Sequence, residues 1–354
     1  MFESEIQKYY APAEYPALEG QFETWAHTRP FRNTKVLDAA PVFRNTLVKY
    51  RALLAGGAHL SVGVSDDFPC DEKTVSFLKE HEIPLVHPGE TEKSFDVILD
   101  CAGRFSHFNS RYGFVELTRS GVSRYEKSAS PVWIADSGVI KQIETSLGTG
   151  DGFFRAMKET GFSDWEGKRL AVIGSGKVGS GIFWEGIRAG ARVSVATDTR
   201  FGVPETLASN AEKVLDIRET AAVCALFLNA DVIVTATGVK NALAVPEISE
   251  ALLESAAILA NMGVEDEFGA GIPDSRVLNQ KKPLNFILEE PTHLKYIEAT
   301  MALHNALGET LLCGNVPPGI HEPPETLERE LLKITHAKGT ISAQIEKIIP
   351  FSYF

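Results

Sequence analysis

From about Lys35 onward, short apolar runs of strand length alternate with longer segments whose apolar positions recur at helical spacing. That alternation is the pattern of parallel sheets covered by helices on both faces. HLSVGV (59–64), IPLV (83–86) and FDVILD (95–100) read as strands, with DEKTVSFLKEH (71–81) as a helix between the first two. A long helical segment, roughly Ile140 to Glu159, leads into a second run of the same kind. There LAVI is followed by ARVSVAT (191–197), ADVIVTATG (230–238) and AAILANMG (256–263), strands ending in polar or glycine-bearing turns, with helices near 217–227 and 246–254. Beyond Lys282 the pattern turns helical: HLKYIEATMALHNALGETLL, a proline-rich hinge VPPGIHEPPE, and a terminal helix with an aromatic tail.

This predicts two α/β domains, a Rossmann-type doubly wound NAD-binding domain inserted into a split substrate domain. Residues 1–150, completed by about 293–322, form the substrate domain; 151–292 form the Rossmann domain; 323–354 form a tail that contacts a partner subunit. The length of 354 residues supports the division, because it exceeds what one hydrophobic core usually serves. A formal net charge of −12, without a long Lys/Arg cluster, argues against nucleic acid as a partner. The opening MFESEIQKYYAPAEYP has early acids and no apolar run, and no stretch is of membrane length, so the expectation is a cytoplasmic protein without membrane contact. Cys70, Cys101, Cys224 and Cys313 lack the spacing of a disulfide framework or a zinc site, and no metal is expected.

Gly174-Ser175-Gly176-Lys177-Val178-Gly179 matches G-x-G-x-x-G between an apolar strand and a helix, the context that makes this short pattern specific for a dinucleotide. Such a turn brings backbone close to a pyrophosphate at a helix N-terminus. The turns at 174–179, 197–200, 235–238 and 261–263 then line one crevice, because ligands of open α/β sheets bind at the carboxyl ends of the strands. Thr235, Thr237, Gly238, Asn261 and Gly263 belong to these turns. About twenty residues past the glycines, a residue meets the adenosine ribose. Asp198 there suits the ribose hydroxyls of NAD, whereas Thr197 with Arg200 suits the 2′-phosphate of NADP; NAD is the first expectation and NADP stays open.

Together these residues resemble the S-adenosylhomocysteine hydrolase family over nearly the whole chain. The resemblance rests on GSGKVGSGIFWEGIRAGARV, VTATG, ANMG and VPPGIHEPPETLERE, with FDVILDCAG, ELTRSGVSRY and IADSGVIKQIETSLGTG where the family has its substrate and hinge motifs. It implies tightly held NAD that oxidises a ribose 3′-hydroxyl and acidifies the neighbouring 4′ hydrogen; thiol elimination, water addition and re-reduction follow. It places the nicotinamide contacts on Thr118, Ser120, Thr237, Asn261 and Asn285, and implies a homo-oligomer, dimer or tetramer. The acid–base positions are rewritten. The family's catalytic lysine falls on Ile140, with Lys141 as neighbour, its aspartate on Cys101, its glutamate on Leu117, one histidine on Val264 and another near Asp38. Ile, Leu and Val cannot exchange protons, so the family's usual reaction is expected to fail.

The remaining candidate catalytic groups are Asp136, Lys141, Glu116 and His293, with Glu144 beside them. Each has an ordinary alternative: Asp136 as N-cap of a helix from Val139, Lys141 as a solvated helix lysine, Glu116 and Glu144 as surface carboxylates, His293 as a helix cap, and Ser65-Asp66-Asp67 as a solvated loop. The leading expectation is an NAD(P)-dependent oxidoreductase acting on a small polar metabolite in an interdomain cleft. The alternatives are adenosylhomocysteine cleavage with Lys141 and Glu116 as replacement groups, and a non-catalytic NAD-binding regulatory subunit.

Overall fold

The computed structural model describes residues 2–65, 70–90, 93–314 and 316–354; Asp66 and Asp67 of the acidic loop lie outside them. In chain order the first strands are β1 (Lys35–Asp38), β2 (His59–Gly63), β3 (Leu85–Val86), β4 (Ser94–Asp100), β5 (Asn109–Glu116) and β6 (Pro131–Ile134). The others are β7 (Arg169–Ile173), β8 (Arg192–Thr197), β9 (Lys213–Asp216), β10 (Val232–Thr235), β11 (Ile258–Asn261) and β12 (Gly319–His321). The helices begin with α1 (Phe2–Ile6), α2 (Pro16–Thr28), α3 (Thr46–Ala55), α4 (Glu72–Glu80), α5 (Thr149–Glu159) and α6 (Lys177–Arg188). They continue with α7 (Glu205–Asn210), α8 (Thr220–Asn229), α9 (Pro246–Glu254), α10 (Leu294–Leu312), α11 (Glu325–Lys338) and α12 (Ser342–Ile345).

The chain divides into two compact units, Met1–Glu144 with His293–Phe354, and Thr145–Thr292. In the first, seven parallel strands run in the order β12-β6-β5-β4-β1-β2-β3 among the described residues. One face buries Leu37, Ile98, Phe105, Phe114, Val132 and Ile134. On the other lies α10, whose Ala299, Leu303 and Leu307 are buried against β4, β5 and α2. β12 lies inside the segment expected to be a proline hinge. It pairs with β6 at the sheet edge, where short strands tolerate flanking prolines.

The second unit has five parallel strands in the order β11-β10-β7-β8-β9, which is 5-4-1-2-3 counted from the first strand of that unit. Leu170, Val172, Ile182 and Phe183 fill one side of this sheet, and Ile173, Phe227, Ile233 and Leu259 the other. Strands buried on both faces read as continuous apolar runs, so LAVI and VIVT carry no alternation. The α/β class with parallel sheets is therefore as the pattern predicts. The winding reverses between β7 and β10, and that reversal opens the crevice of a doubly wound sheet.

The helix expected over 140–159 is interrupted. Ile143–Gly148 form a π-helical stretch ahead of α5. This wider turn lies against α6, where a Cβ on Gly181 would meet Ser146 O at 2.0 Å and Ser146 Oγ donates to Lys177 O at 3.0 Å.

Candidate functional site

The crevice of the second unit begins where β7 ends. Gly174 has φ of +108°, and a Cβ there would meet Ala236 O at 2.5 Å, so the turn after β7 rests directly on the turn after β10. A Cβ on Gly179 would meet Gly174 O at 2.1 Å, because α6 crosses back over its own approach. Both glycines are required by the protein itself. Gly176 is different. It caps α6 in extended backbone, φ −69° and ψ −171°, is exposed, and a Cβ on it would meet nothing within 4 Å. Neither conformation nor packing demands glycine at this position, and the open side is the helix N-terminus, where N–H groups favour an anion. Ser175, Lys177 and Val178 complete the turn, with Ser180 Oγ donating to Ser175 O at 3.0 Å.

The neighbouring turns are held by buried polar side chains. Glu267, fully buried, accepts from Thr237 N (2.9 Å), Thr237 Oγ1 (2.8 Å) and Gly238 N (2.7 Å); burial raises its pKa against the pull of these bonds. Sequence inspection missed Glu267, since nothing local distinguishes it in VEDEFG. Asn261 is also fully buried and saturated: its Nδ2 donates to Gly263 O, Glu265 O and Lys281 O, and its Oδ1 accepts from Thr235 Oγ1 and Gly263 N. Asn261 and Thr235 therefore hold the β10 and β11 turns together. Gly263 packs on Glu267, and Asn285, nearly buried, packs on Gly152 of α5. At the end of β8, Thr197 Oγ1 and Ser175 Oγ are 3.0 Å apart, and Asp198 accepts from Arg200.

The other candidates belong to the first unit, at the carboxyl ends of β4, β5 and β6. Asp100 accepts from Cys101 N (2.8 Å), Phe105 N (2.9 Å) and Tyr125 OH (2.5 Å). Glu116 accepts from Ala102 N (2.8 Å), Gly103 N (2.8 Å), Thr118 N (2.7 Å) and Thr118 Oγ1 (2.6 Å). The two carboxylates clamp the turn at Ala102 and Gly103, both of which have positive φ. Burial, and for Asp100 also the nearby charge of Glu116, pushes both pKa values up. Glu116 is thus a buried carboxylate with a raised pKa instead of a surface one, and Thr118 donates to it while Ser120 is exposed beside Thr118.

Lys141 is buried, not solvated, and its Nζ donates to both oxygens of Glu144 at 2.9 Å. Desolvation opposes its charge, but Glu144 and Asp136 outweigh it and raise its pKa, so it stays an ammonium. Asp136 sits in the 3-10 turn Ala135–Ser137 instead of capping a helix. Cys101 lies in the field of Glu116, Asp100, Lys141 and Arg104, with its thiol pKa pushed up by burial. Lys141 and Glu116 therefore both lie near Cys101, and Asp136 lies near Lys141. His293 occupies the N-cap position of α10 without a side-chain capping bond. Asp38, at the end of β1, forms a fully buried ion pair with Lys49.

No group of three or more His, Cys, Asp or Glu is placed to hold a metal among the described residues, and no helix among them is long and apolar enough to cross a membrane. No protein-family model matches the chain. No curated protein matches it either. Among solved structures the chain is similar to a dipicolinate synthase subunit from Bacillus halodurans, at 13% identity over 79% of this chain and 98% of that one, TM-score 0.48. It is also similar to a transhydrogenase from Sinorhizobium meliloti, at 15% identity over 81% and 97%, TM-score 0.47. A third is a putative D-isomer specific 2-hydroxyacid dehydrogenase, NAD-binding, from Polaromonas, at 13% identity over 80% and 98%, TM-score 0.45.

Proposed function

We propose that the chain is an oxidoreductase that binds a nicotinamide dinucleotide at the Gly174–Gly179 turn and uses it on a small polar metabolite. Gly176 carries this reading: it is an exposed glycine at a helix N-terminus that the protein's own backbone and packing do not require. The order 5-4-1-2-3 in the same unit supports it by putting this turn at the reversal of winding. The bound nicotinamide would supply hydride acceptance or donation. The turn residues Gly174 to Gly179 would take the diphosphate, with Thr237 and Gly238, held by Glu267, on the adjoining turn. In the first unit, Lys141, paired with Glu144 and in the field of Asp136, is the group best suited to orient a polar substrate. The same proposal assigns substrate binding to that unit and a homo-oligomeric, cytoplasmic state to the chain, with residues 323–354 at the contact between protomers.

Adenosylhomocysteine cleavage is the weaker reading. Glu116 is committed to four donors, and Leu117, Ile140 and Val264 stand where the resemblance needs proton-exchanging groups. A thiol-release assay yielding homocysteine would reinstate it. The main reading is tested by titrating the purified chain with NADH and NADPH by fluorescence, then following reduced-nicotinamide absorbance across a metabolite panel. Binding of either dinucleotide and turnover with a polar substrate is expected. No binding of either at millimolar concentration overturns the reading.

A further inference from the structure

We infer that the adenosine end of the Rossmann crevice selects a dinucleotide carrying a 2′-phosphate, NADP(H) over NAD(H); the inference rests on the dinucleotide reading above. Recognition of an unmodified ribose needs a carboxylate at the second strand's end with acceptor positions left for the diol, whereas a 2′-phosphate is met by arginine. β8 ends instead in Thr197, whose hydroxyl is turned to Ser175. The two carboxylates beside it are already occupied. Asp198 accepts from Arg200 N (3.2 Å), Nε (2.9 Å) and Nη2 (2.6 Å). Asp216, at the end of β9, accepts from Arg218 N (2.9 Å), Nε (2.8 Å), Nη2 (2.6 Å) and from Thr199 Oγ1. A carboxylate offers about four acceptor positions. Asp216 has none to spare, and Asp198 has too few for a diol.

The same arrangement presents two guanidinium groups side by side. Thr197 pairs with Asp216 in the β8–β9 register, which puts Asp198–Arg200 next to Asp216–Arg218, close enough for Arg200 to feel the charge of Arg218 and for Arg218 to feel that of Asp198. The aspartates hold each fork by one edge, and the Arg200 and Arg218 side chains remain 61% and 52% exposed. Bonds to the arginines lower the pKa of both aspartates, so the pairs stay charged near neutrality. Arginine so pre-oriented suits a phosphate, whose oxygens take paired N–H donors. Phe201, on the same turn, is 86% exposed, an aromatic face of the kind a purine stacks on.

The test uses the full chain and two fragments that differ only by the phosphate in question, 2′,5′-ADP and 5′-ADP, measured by calorimetry at low salt, with NADPH and NADH alongside. The expected result is that 2′,5′-ADP binds about 10- to 100-fold tighter than 5′-ADP, the worth of about one charge-assisted hydrogen bond. Arg200→Leu and Arg218→Leu should each remove most of that advantage. Equal affinity of the two fragments, or an advantage that survives both substitutions, overturns the inference and leaves the crevice as an NAD site. Failure of all four ligands to bind overturns the dinucleotide reading and the inference with it. Melting curves show whether the variants fold, and the comparison of fragments on the unaltered chain decides the matter even if they do not.

Discussion

Valine at position 176 separates a ligand cradle from a structural turn. Gly176 has backbone angles open to any L-residue, and a Cβ there meets no protein atom within 4 Å. Losing glycine at an N-cap costs roughly 0.5 kcal/mol. Removing glycine from the unfolded chain returns about 0.4–1 kcal/mol. The fold should therefore be unchanged to within about 1 kcal/mol, and the melting temperature to within about 4 °C. A diphosphate seated on the same N–H groups would lose its place to the new side chain. Two charge-assisted hydrogen bonds at about 1.5–3 kcal/mol each give a loss of at least about 3 kcal/mol, or roughly 100-fold in dissociation constant. Gly179→Ala is the control, because its Cβ would sit 2.1 Å from Gly174 O and the backbone must shift; a cost of about 1–3 kcal/mol or more should lower its melting temperature. Differential scanning fluorimetry and a reduced-nicotinamide fluorescence titration read the two effects. If Gly176→Val binds NADH and NADPH as the parent does, the turn holds no phosphate and the argument from its open side is wrong.

Glu267→Ala removes three bonds from the turn after β10 and leaves the Thr237 and Gly238 amides without their carboxylate, so urea unfolding should show a loss of about 2–4 kcal/mol. Glu298 of α10 is buried and accepts from Ala17 N, Leu18 N and Thr335 Oγ1, and burial pushes its pKa up to about 7. The folded state thus holds a proton that the unfolded state gives up near pH 4.5, so this contribution to stability is complete below pH 4.5 and is lost as the pH rises through 7. Unfolding at pH 5 and pH 8 should differ by a few kcal/mol from this group, and Glu298→Gln, whose amide can donate to Thr335, should shrink the difference; an unchanged difference refutes the assignment. Lys49→Met leaves the fully buried Asp38 without its facing partner, with an expected cost of about 3–5 kcal/mol, and adding Asp38→Asn should recover part of it. Additive losses in that double variant would mean that the two side chains do not act as a pair.

What the chain declares in its sequence and what it conceals divide along a physical line. Glycine spacing announces a tight turn because backbone sterics leave little alternative, and LAVI, VSVAT and VIVT announce buried parallel strands because both faces must be apolar. β5 begins with the polar residues NSRYG, β9 is only KVLD, and β12 lies between prolines, so none of them stands out from its surroundings. The polar residues are harder still. Glu116 and Glu267 are charged residues in polar contexts, and their partners are amides 13–14 and 29–30 positions away, so only the folded chain shows that they clamp turns. Residue type alone cannot separate a side chain that holds a turn from one that holds a ligand; Asn261's amide is bonded within its own loop. Packing does separate them. Gly174, Gly179 and Gly181 are each explained by a backbone atom that a Cβ would strike, and Asn261, Glu116 and Glu267 by the bonds they complete. Gly176 is left over after that accounting, exposed at the end of α6 where the winding of the sheet reverses. Gly20 and Gly89 also meet nothing within 4 Å, so it is the place of Gly176 at this helix N-terminus that makes a bound phosphate the proposed reason for it.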